Sequence, residues 1–234
     1  MYGEAITFDS IIEARENAKV VKRITHDEAK PFLLEIHYAR RIPCITDAFG
    51  LFESGELVGV VTYGVPASRP LCVGLAGEEN AHMVRELNRL CIRPDLNGGG
   101  RNLASYLVSH SLKMLKEGTF VVSYADTAWT HVGYVYQACN FLYTGLSAKR
   151  TDTYRPDGLH PRAYDKTNHS DKYQTRSQKH RYVYLVGSKS MKRRMRKQLR
   201  YPVIEQYPKG DERQYDTRNP EIVHPIEIVD RRNK

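Results

Sequence analysis

The sequence lacks any apolar run long enough to cross a bilayer, any apolar segment behind N-terminal basic residues, and any internal repeat. These absences argue against helical membrane spans and solenoid architectures, and the chain is expected in the cytoplasm. Cysteine is sparse. Cys44, Cys72, Cys91 and Cys139 are widely spaced with no Cys-x-x-Cys pair, which speaks against a disulfide framework or a thiolate zinc site. Acid is in deficit: 27 Asp and Glu against 36 Lys and Arg leave a net charge of +9 and a pI near 9.3. Nucleic acid or another polyanion is the partner such a surface favours. Phe is scarce beside Tyr, 6 against 16, and tyrosine offers a flat face and a wet hydroxyl where bases are gripped, as at other interfaces.

What is present can fold: 41% of the 234 residues are hydrophobic, enough for one ample domain with or without an appendage. The densest signal runs from Glu86 to Gly118. Leu87, Leu90 and Ile92 read as a short strand and Pro94 to Gly100 as a glycine turn. Leu103, Leu107, Val108, Leu112 and Leu115 form the buried stripe of a helix closed by Gly118. Strand, glycine turn and helix can cradle a phosphate, because glycines let backbone amides come close and the helix end adds its positive dipole. Asn97, Gly98, Gly99, Gly100, Arg101 and Asn102 are the candidate cofactor-binding residues; the plainer reading is a flexible turn. The passage resembles the pyrophosphate loop of the GNAT acetyltransferase superfamily, with Gly98 and Gly100 at two of its glycines. It departs at Asn97, where that family has Arg or Gln, and at Asn102, where it has a small residue. The resemblance implies an acyl-CoA or related phosphate-bearing donor.

Residues 1–17 are expected as an arm, 18–187 as an acetyltransferase-like catalytic domain, and 188–234 as a basic helix with a tail. Lys19–Ile24 alternates as a first strand, and Thr25-x-x-Glu28 is a capping box for a helix that ends at His37-Tyr38-Ala39-Arg40-Arg41. Ala48–Phe52 and Leu57–Tyr63 form a hairpin about Ser54-Gly55, and Pro66–Gly77 reads as a loop. Thr119–Tyr124, Val132–Cys139 and Phe141–Leu146 give strand, helix and strand. Residues 149–179 form a polar insertion without apolar periodicity, too long for an ordinary connection. Arg181–Gly187 returns as a strand of the main sheet, and Lys189–Arg200 is a helix positive on nearly every face. The element order is that of an α/β fold of acetyltransferase (GNAT) type, a mixed central sheet flanked by helices.

Three clusters stand at element ends: His37 with Tyr38, Tyr63 with Ser68, and Ser123-Tyr124-Ala125-Asp126-Thr127. Imidazole, phenol and carboxylate can move a proton, orient a nucleophile or hold a metal; each can equally be a cap or a satisfied core group. His37, Tyr38, Asp126, Tyr124, Ser123 and Tyr63 are the candidate catalytic residues. Arg40, Arg41, Lys192, Arg193, Arg194, Arg196 and Lys197 are the candidate DNA-binding residues, since so many like charges repel unless a polyanion lies near. Their alternative is a solvated surface.

His37–Pro43, Ala48–Phe52, Gly59–Ser68, Glu86–Leu90, Ser123–Thr127 and Gly133–Gly145 together resemble the Mom DNA-modification proteins of Mu-like bacteriophages. The resemblance implies an enzyme that adds a carbamoylmethyl group to the exocyclic amine of adenine in double-stranded DNA, protecting phage DNA from host restriction. It implies an acetyltransferase-like fold, an acyl-CoA donor or bound iron, with His37, Tyr38 and Asp126 offering ligand atoms. A duplex adenine has to be flipped out for such chemistry, and Tyr38, Tyr124, Tyr134 and Tyr136 are candidates to hold it. Two other readings stay open: an acyl-CoA N-acyltransferase acting on a protein or small-molecule amine, and a non-catalytic DNA-binding protein.

Overall fold

The computed structural model describes residues 19–96, 101–129, 131–154, 172–210 and 227–230; the arm 1–17, the turn residues Asn97–Gly100 and the centre of the polar insertion lie outside them. A seven-stranded sheet organises the fold. In chain order its strands are β1 (Val20–Arg23), β2 (Asp47–Glu53), β3 (Glu56–Gly64), β4 (Val84–Ile92), β5 (Phe120–Asp126), β6 (Leu142–Leu146) and β9 (Lys179–Leu185). The spatial order is β1-β2-β3-β4-β5-β9-β6, so the returning strand β9 enters between β5 and β6. This is the mixed, helix-flanked sheet expected from the element order.

Local signals set several elements. Thr25 caps α1 (His26–Pro31), its hydroxyl accepting from the Glu28 amide while Glu28 answers the Thr25 amide at 2.7 Å. Pro31 has no N–H to continue the ladder, and the chain runs on into a wide π turn, Phe32–Ile36, closed by His37 N–H donating to Phe32 O at 2.8 Å. The β2–β3 hairpin turns on Ser54-Gly55, both at positive φ.

Helix α3 (Leu103–Leu112) lies on one face of the sheet, where Leu103, Leu107, Val108 and Leu112 pack on Phe49, Leu51, Val61, Leu87 and Val121. On the other face α1 covers Ala48, Val60 and Cys91. There too α2 (Arg69–Ala76) and α5 (Lys189–Gln198) cover Val84, Phe120, Val122 and Val183. Helix α2 corrects the loop expected at Pro66–Gly77. Ser68 caps it, Pro70 sits in the first turn where its missing N–H costs nothing, and Gly77 ends it at φ 83°. Helix α5 is not positive all round: Met191, Met195 and Leu199, four residues apart, pack on the second core.

The polar insertion carries strand structure at its described ends. Its ends form β7 (Arg150–Thr153) and β8 (Lys172–Arg176), and β10 (Ile228–Asp230) adds to β8 in a three-stranded sheet. The tail beyond Tyr201 straps the β6 edge: Ile204 N–H donates to Tyr143 O at 2.9 Å and the Tyr207 hydroxyl to Phe141 O at 2.7 Å.

Two irregularities distort β4. It runs parallel to β5 but is in register with it only over Val84–Glu86 and Phe120–Val122, after which the strands part. Next to that fork Thr62 pairs with Arg89 and Tyr63 with Leu87, leaving Asn88 as an extra residue. Such a bulge bends its strand and re-aims side chains. It also explains why the apolar residues of β4 fall at 87, 90 and 92 and still share the α3 face. Asn88 is fixed by Thr62 at 2.6 Å and by the Cys44 carbonyl at 2.8 Å, which ties the bulge to the loop carrying His37 and Tyr38. That loop passes Gly64 so closely that a Cβ there would sit 1.8 Å from Cys44 O.

Candidate active site

The fork between β4 and β5 gathers residues distant in sequence. Ser123 marks its vertex: its buried hydroxyl donates to Leu87 O at 3.1 Å across the parting strands and shares a hydrogen bond with the Tyr136 hydroxyl. Helix α4 (Tyr134–Ala138) supplies Tyr136, whose phenol burial pushes up to about 12 against that hydrogen bond.

Beyond the vertex, Tyr38 lies at the centre. Its ring stacks on His37 at 4.4 Å and 27°, and the Trp129 ring stands 5.6 Å away, tilted by 55°. Burial raises the Tyr38 phenol, the neighbouring Asp126 carboxylate raises it further, and Arg89 and Arg41 oppose both. The ring nonetheless keeps 39% of its surface exposed. Tyr38 at neutral pH is a hydrogen-bond donor and not a phenolate.

His37 is buried, and burial, helped by the Arg89 charge, lowers its imidazole to about 4. It is neutral at physiological pH. Nδ1 accepts from the Ala39 amide at 3.1 Å, so the proton resides on Nε2. His37 therefore presents a donor, not a base.

Asp126 ends β5 opposite Lys179. Its Oδ2 is 2.7 Å from the Lys179 ammonium and its Oδ1 accepts from the Ala128 amide at 3.0 Å. Burial alone would raise this carboxyl, but the Lys179 hydrogen bond and charge, with the Ser177 hydroxyl and the Ala128 amide, outweigh it and hold the group below the usual range. His131 lies near enough for the Asp126 charge to oppose the desolvation that lowers its imidazole.

Arg89, next to the bulge, is the functional candidate that residue-by-residue reading of the sequence missed. Its Nη1 donates to Asn88 O at 2.6 Å, but its buried Nε has no hydrogen-bond partner among the described residues. Burial and the Arg41 charge lower its guanidinium, while Tyr38 and Glu86 raise it. A buried N–H left unpaired costs about 1–3 kcal/mol, so an oxygen from a ligand would find a prepared donor. The signal in the sequence was the broken alternation at Leu87-Asn88-Arg89-Leu90.

A profile of the Mom protein family matches residues 18–209. The chain belongs to the Mom protein family. The methylcarbamoylase Mom of Escherichia phage Mu is 29% identical over 124 residues, 50% of this chain and 49% of that protein, so the match spans about half of the relative. Among solved structures, the ribosomal-protein-S18-alanine N-acetyltransferase of Escherichia coli aligns over 73% of this chain and 96% of its own, with 11% identity and a TM-score of 0.43. Arabidopsis thaliana NAA60 in complex with a bisubstrate analogue aligns over 73% and 100%, with 14% identity and a TM-score of 0.46.

In this Mom family member the remaining expected site residues are dispersed. Tyr63 is not at the cleft: it is fully buried, its hydroxyl 2.7 Å from that of Ser111 beneath α3. Ser68 is a helix cap. Tyr124 is on the fork's strand but packs with the second core, beside Arg181 and Tyr201. Arg101 is held by both oxygens of Glu53, at 2.6 and 2.7 Å, so its charge is already matched. Asn102 precedes α3 at φ 51°, and its side chain does not cap the helix. Of the basic residues, Lys192 is tied to the Tyr184 hydroxyl at 2.9 Å, whereas Arg193, Arg194, Arg196 and Lys197 are exposed, as are Arg40 and Arg41.

Iron has no support in this set, where two cations, Arg89 and Lys179, adjoin His37 and Asp126. Among the described residues no group of three or more His, Cys, Asp or Glu converges on a common point. Nor is any described helix long and apolar enough to cross a membrane.

Proposed function

We propose that this protein modifies adenine in double-stranded DNA at its exocyclic amine, adding a carbamoylmethyl group that shields phage DNA from host restriction. The observation that carries the reading is the polar and aromatic cluster at the β4–β5 fork, in a chain of the Mom family. Adenine's amine is a weak nucleophile because its lone pair is delocalised into the ring, so the site has to orient it and accept its proton. Asp126, kept ionised by Lys179, accepts a hydrogen bond from the amine and aligns it. Arg89 Nε and the neutral donors Tyr38 and His37 bind the oxygen of the incoming group and stabilise charge developing on it. The amine nitrogen bonds to a saturated carbon of the donor as that carbon's bond to its leaving group breaks and the bonding pair departs with the leaving group. The amine proton, acidified as the bond forms, passes to the Asp126 carboxylate, whereas a thioester carbonyl attacked by the amine would give an amide instead. A phosphate-bearing donor, such as a coenzyme A derivative that presents a saturated carbon, would be held by its phosphates at the N-terminal end of α3. Arg40, Arg41 and the exposed face of α5 carry the duplex through its phosphates.

Mass spectrometry of nucleosides from plasmid grown in cells expressing the chain tests this reading. A new adenosine species with the carbamoylmethyl mass addition, absent with Asp126→Ala, is expected. An unmodified adenine pool despite abundant soluble protein refutes it, and acetyl-CoA turnover on amines then becomes the reading to test.

A further inference from the structure

Trp129, which no sequence argument singled out, is the chain's single tryptophan. It sits in a 3₁₀ turn, Thr127–Trp129, immediately after β5. The turn is pinned at both sides of its start: Thr127 donates its amide and hydroxyl to Gln178 O at 3.1 and 2.7 Å, and Ala128 donates to Asp126 Oδ1 at 3.0 Å. The turn that carries the indole is thus fixed by the Asp126 carboxylate. The indole ring meets Tyr38, and Tyr38 is backed in turn by the neutral His37 ring.

The other aromatic candidates point their contacts away from this cluster. Tyr136 is bonded to Ser123, Tyr134 to the Gly210 carbonyl, and Tyr124 packs in the second core. Tyr38 is the member of that group that joins the cluster and keeps a large exposed surface. Cations flank these rings, Arg89 and Arg41 on the Tyr38 side and Lys179 at Asp126. Uncharged faces set between cations match an unstacked base between two backbone phosphates.

Resting on the adenine-modification reading, we propose that Trp129 and Tyr38 form the aromatic seat for the adenine extruded from duplex DNA. Trp129 binds the base and takes no part in proton or group transfer. The seat compensates the stacking lost on extrusion and leaves the exocyclic amine beside Asp126.

The single tryptophan makes a direct test available. Emission of the full chain is followed with three duplexes: one fully paired, one carrying the adenine opposite an abasic site, and one with an abasic site in place of that adenine. Quenching should be strongest with the unpaired adenine and weak with the duplex that lacks it. Trp129→Leu should bind the unpaired-adenine duplex about tenfold or more weakly and lower plasmid adenine modification by a similar factor, and Trp129→Phe, which keeps a ring, should retain most of both. Thermal melts of the two variants matching wild type exclude a folding defect as the cause. If wild type modifies adenine while emission is the same with all three duplexes, or Trp129→Leu modifies as well as wild type, the seat is refuted and the modification reading stands. If wild type modifies no adenine, the reading beneath it falls.

Discussion

Asp126→Asn separates the charge of this carboxylate from its shape. The amide keeps an oxygen for the Ala128 amide, so the turn that carries Trp129 is retained while the Lys179 ammonium loses its counter-charge. The side chains of Lys179 and Asp126 are 36% and 15% exposed, between a surface and a buried pair. Exposed pairs contribute about 0–1 kcal/mol and breaking a fully buried one costs about 3–5 kcal/mol, so about 1–3 kcal/mol is expected here at pH 7. The sign with pH comes from the lowered carboxyl. Its stabilisation is complete above the unfolded value of about 3.9 and is lost as pH falls through the lower folded value. The stability gap between wild type and Asp126→Asn, measured by urea denaturation, should be widest at pH 7 and close in strong acid. The cycle completed with Lys179→Met should return a favourable coupling of about 1–2 kcal/mol. A gap below about 0.5 kcal/mol at pH 7, or one unchanged in acid, refutes the pairing argument. Loss of modified adenosine in a variant that remains folded under the assay conditions assigns the function to the charge.

His37, held near 4 in the fold, refuses a proton that the unfolded chain accepts below about 6.5, so stability should fall by up to about 3 kcal/mol as pH drops across that window. Denaturation of His37→Gln should show a flatter pH profile, and an NMR titration of wild type should find this ring unprotonated at pH 6. Tyr63→Phe should cost about 0.5–1.5 kcal/mol, because Ser111 keeps its bond to Val108 O, and should modify plasmid DNA as wild type does. Neutralising Arg193, Arg194, Arg196 and Lys197 with glutamine should reduce the salt dependence of duplex binding, read by fluorescence anisotropy, by about 0.9 in log–log slope for each phosphate left without its cation. Lys192→Gln alone should change that slope least, since its ammonium is already bonded to Tyr184.

The sequence by itself determined what neighbouring residues can decide. The Thr25–Glu28 capping box, the Ser54-Gly55 turn and the buried stripe of α3 depend on contacts within a few residues, and all three formed. The order of strands and helices came from such local signals, and with it the mixed sheet. Helix α2 was hidden because Pro70 and Gly74 look like loop residues until Ser68 is seen to cap the turn that tolerates Pro70.

The tertiary structure alone decided which polar groups meet. Tyr63 and Ser123 both looked like cleft residues, yet strand register buries Tyr63 against Ser111 and sets Ser123 at the vertex of the fork. Neither the Lys179 partner of Asp126 nor the placement of Trp129 beside Tyr38 has a local signature, and the broken alternation at Asn88 does not say that Arg89 Nε is left unpaired. Both contacts join segments tens of residues apart. Their proximity comes from how β4 and β5 separate after pairing, and the charge states of His37 and Asp126 come from the burial and the partners that this geometry imposes.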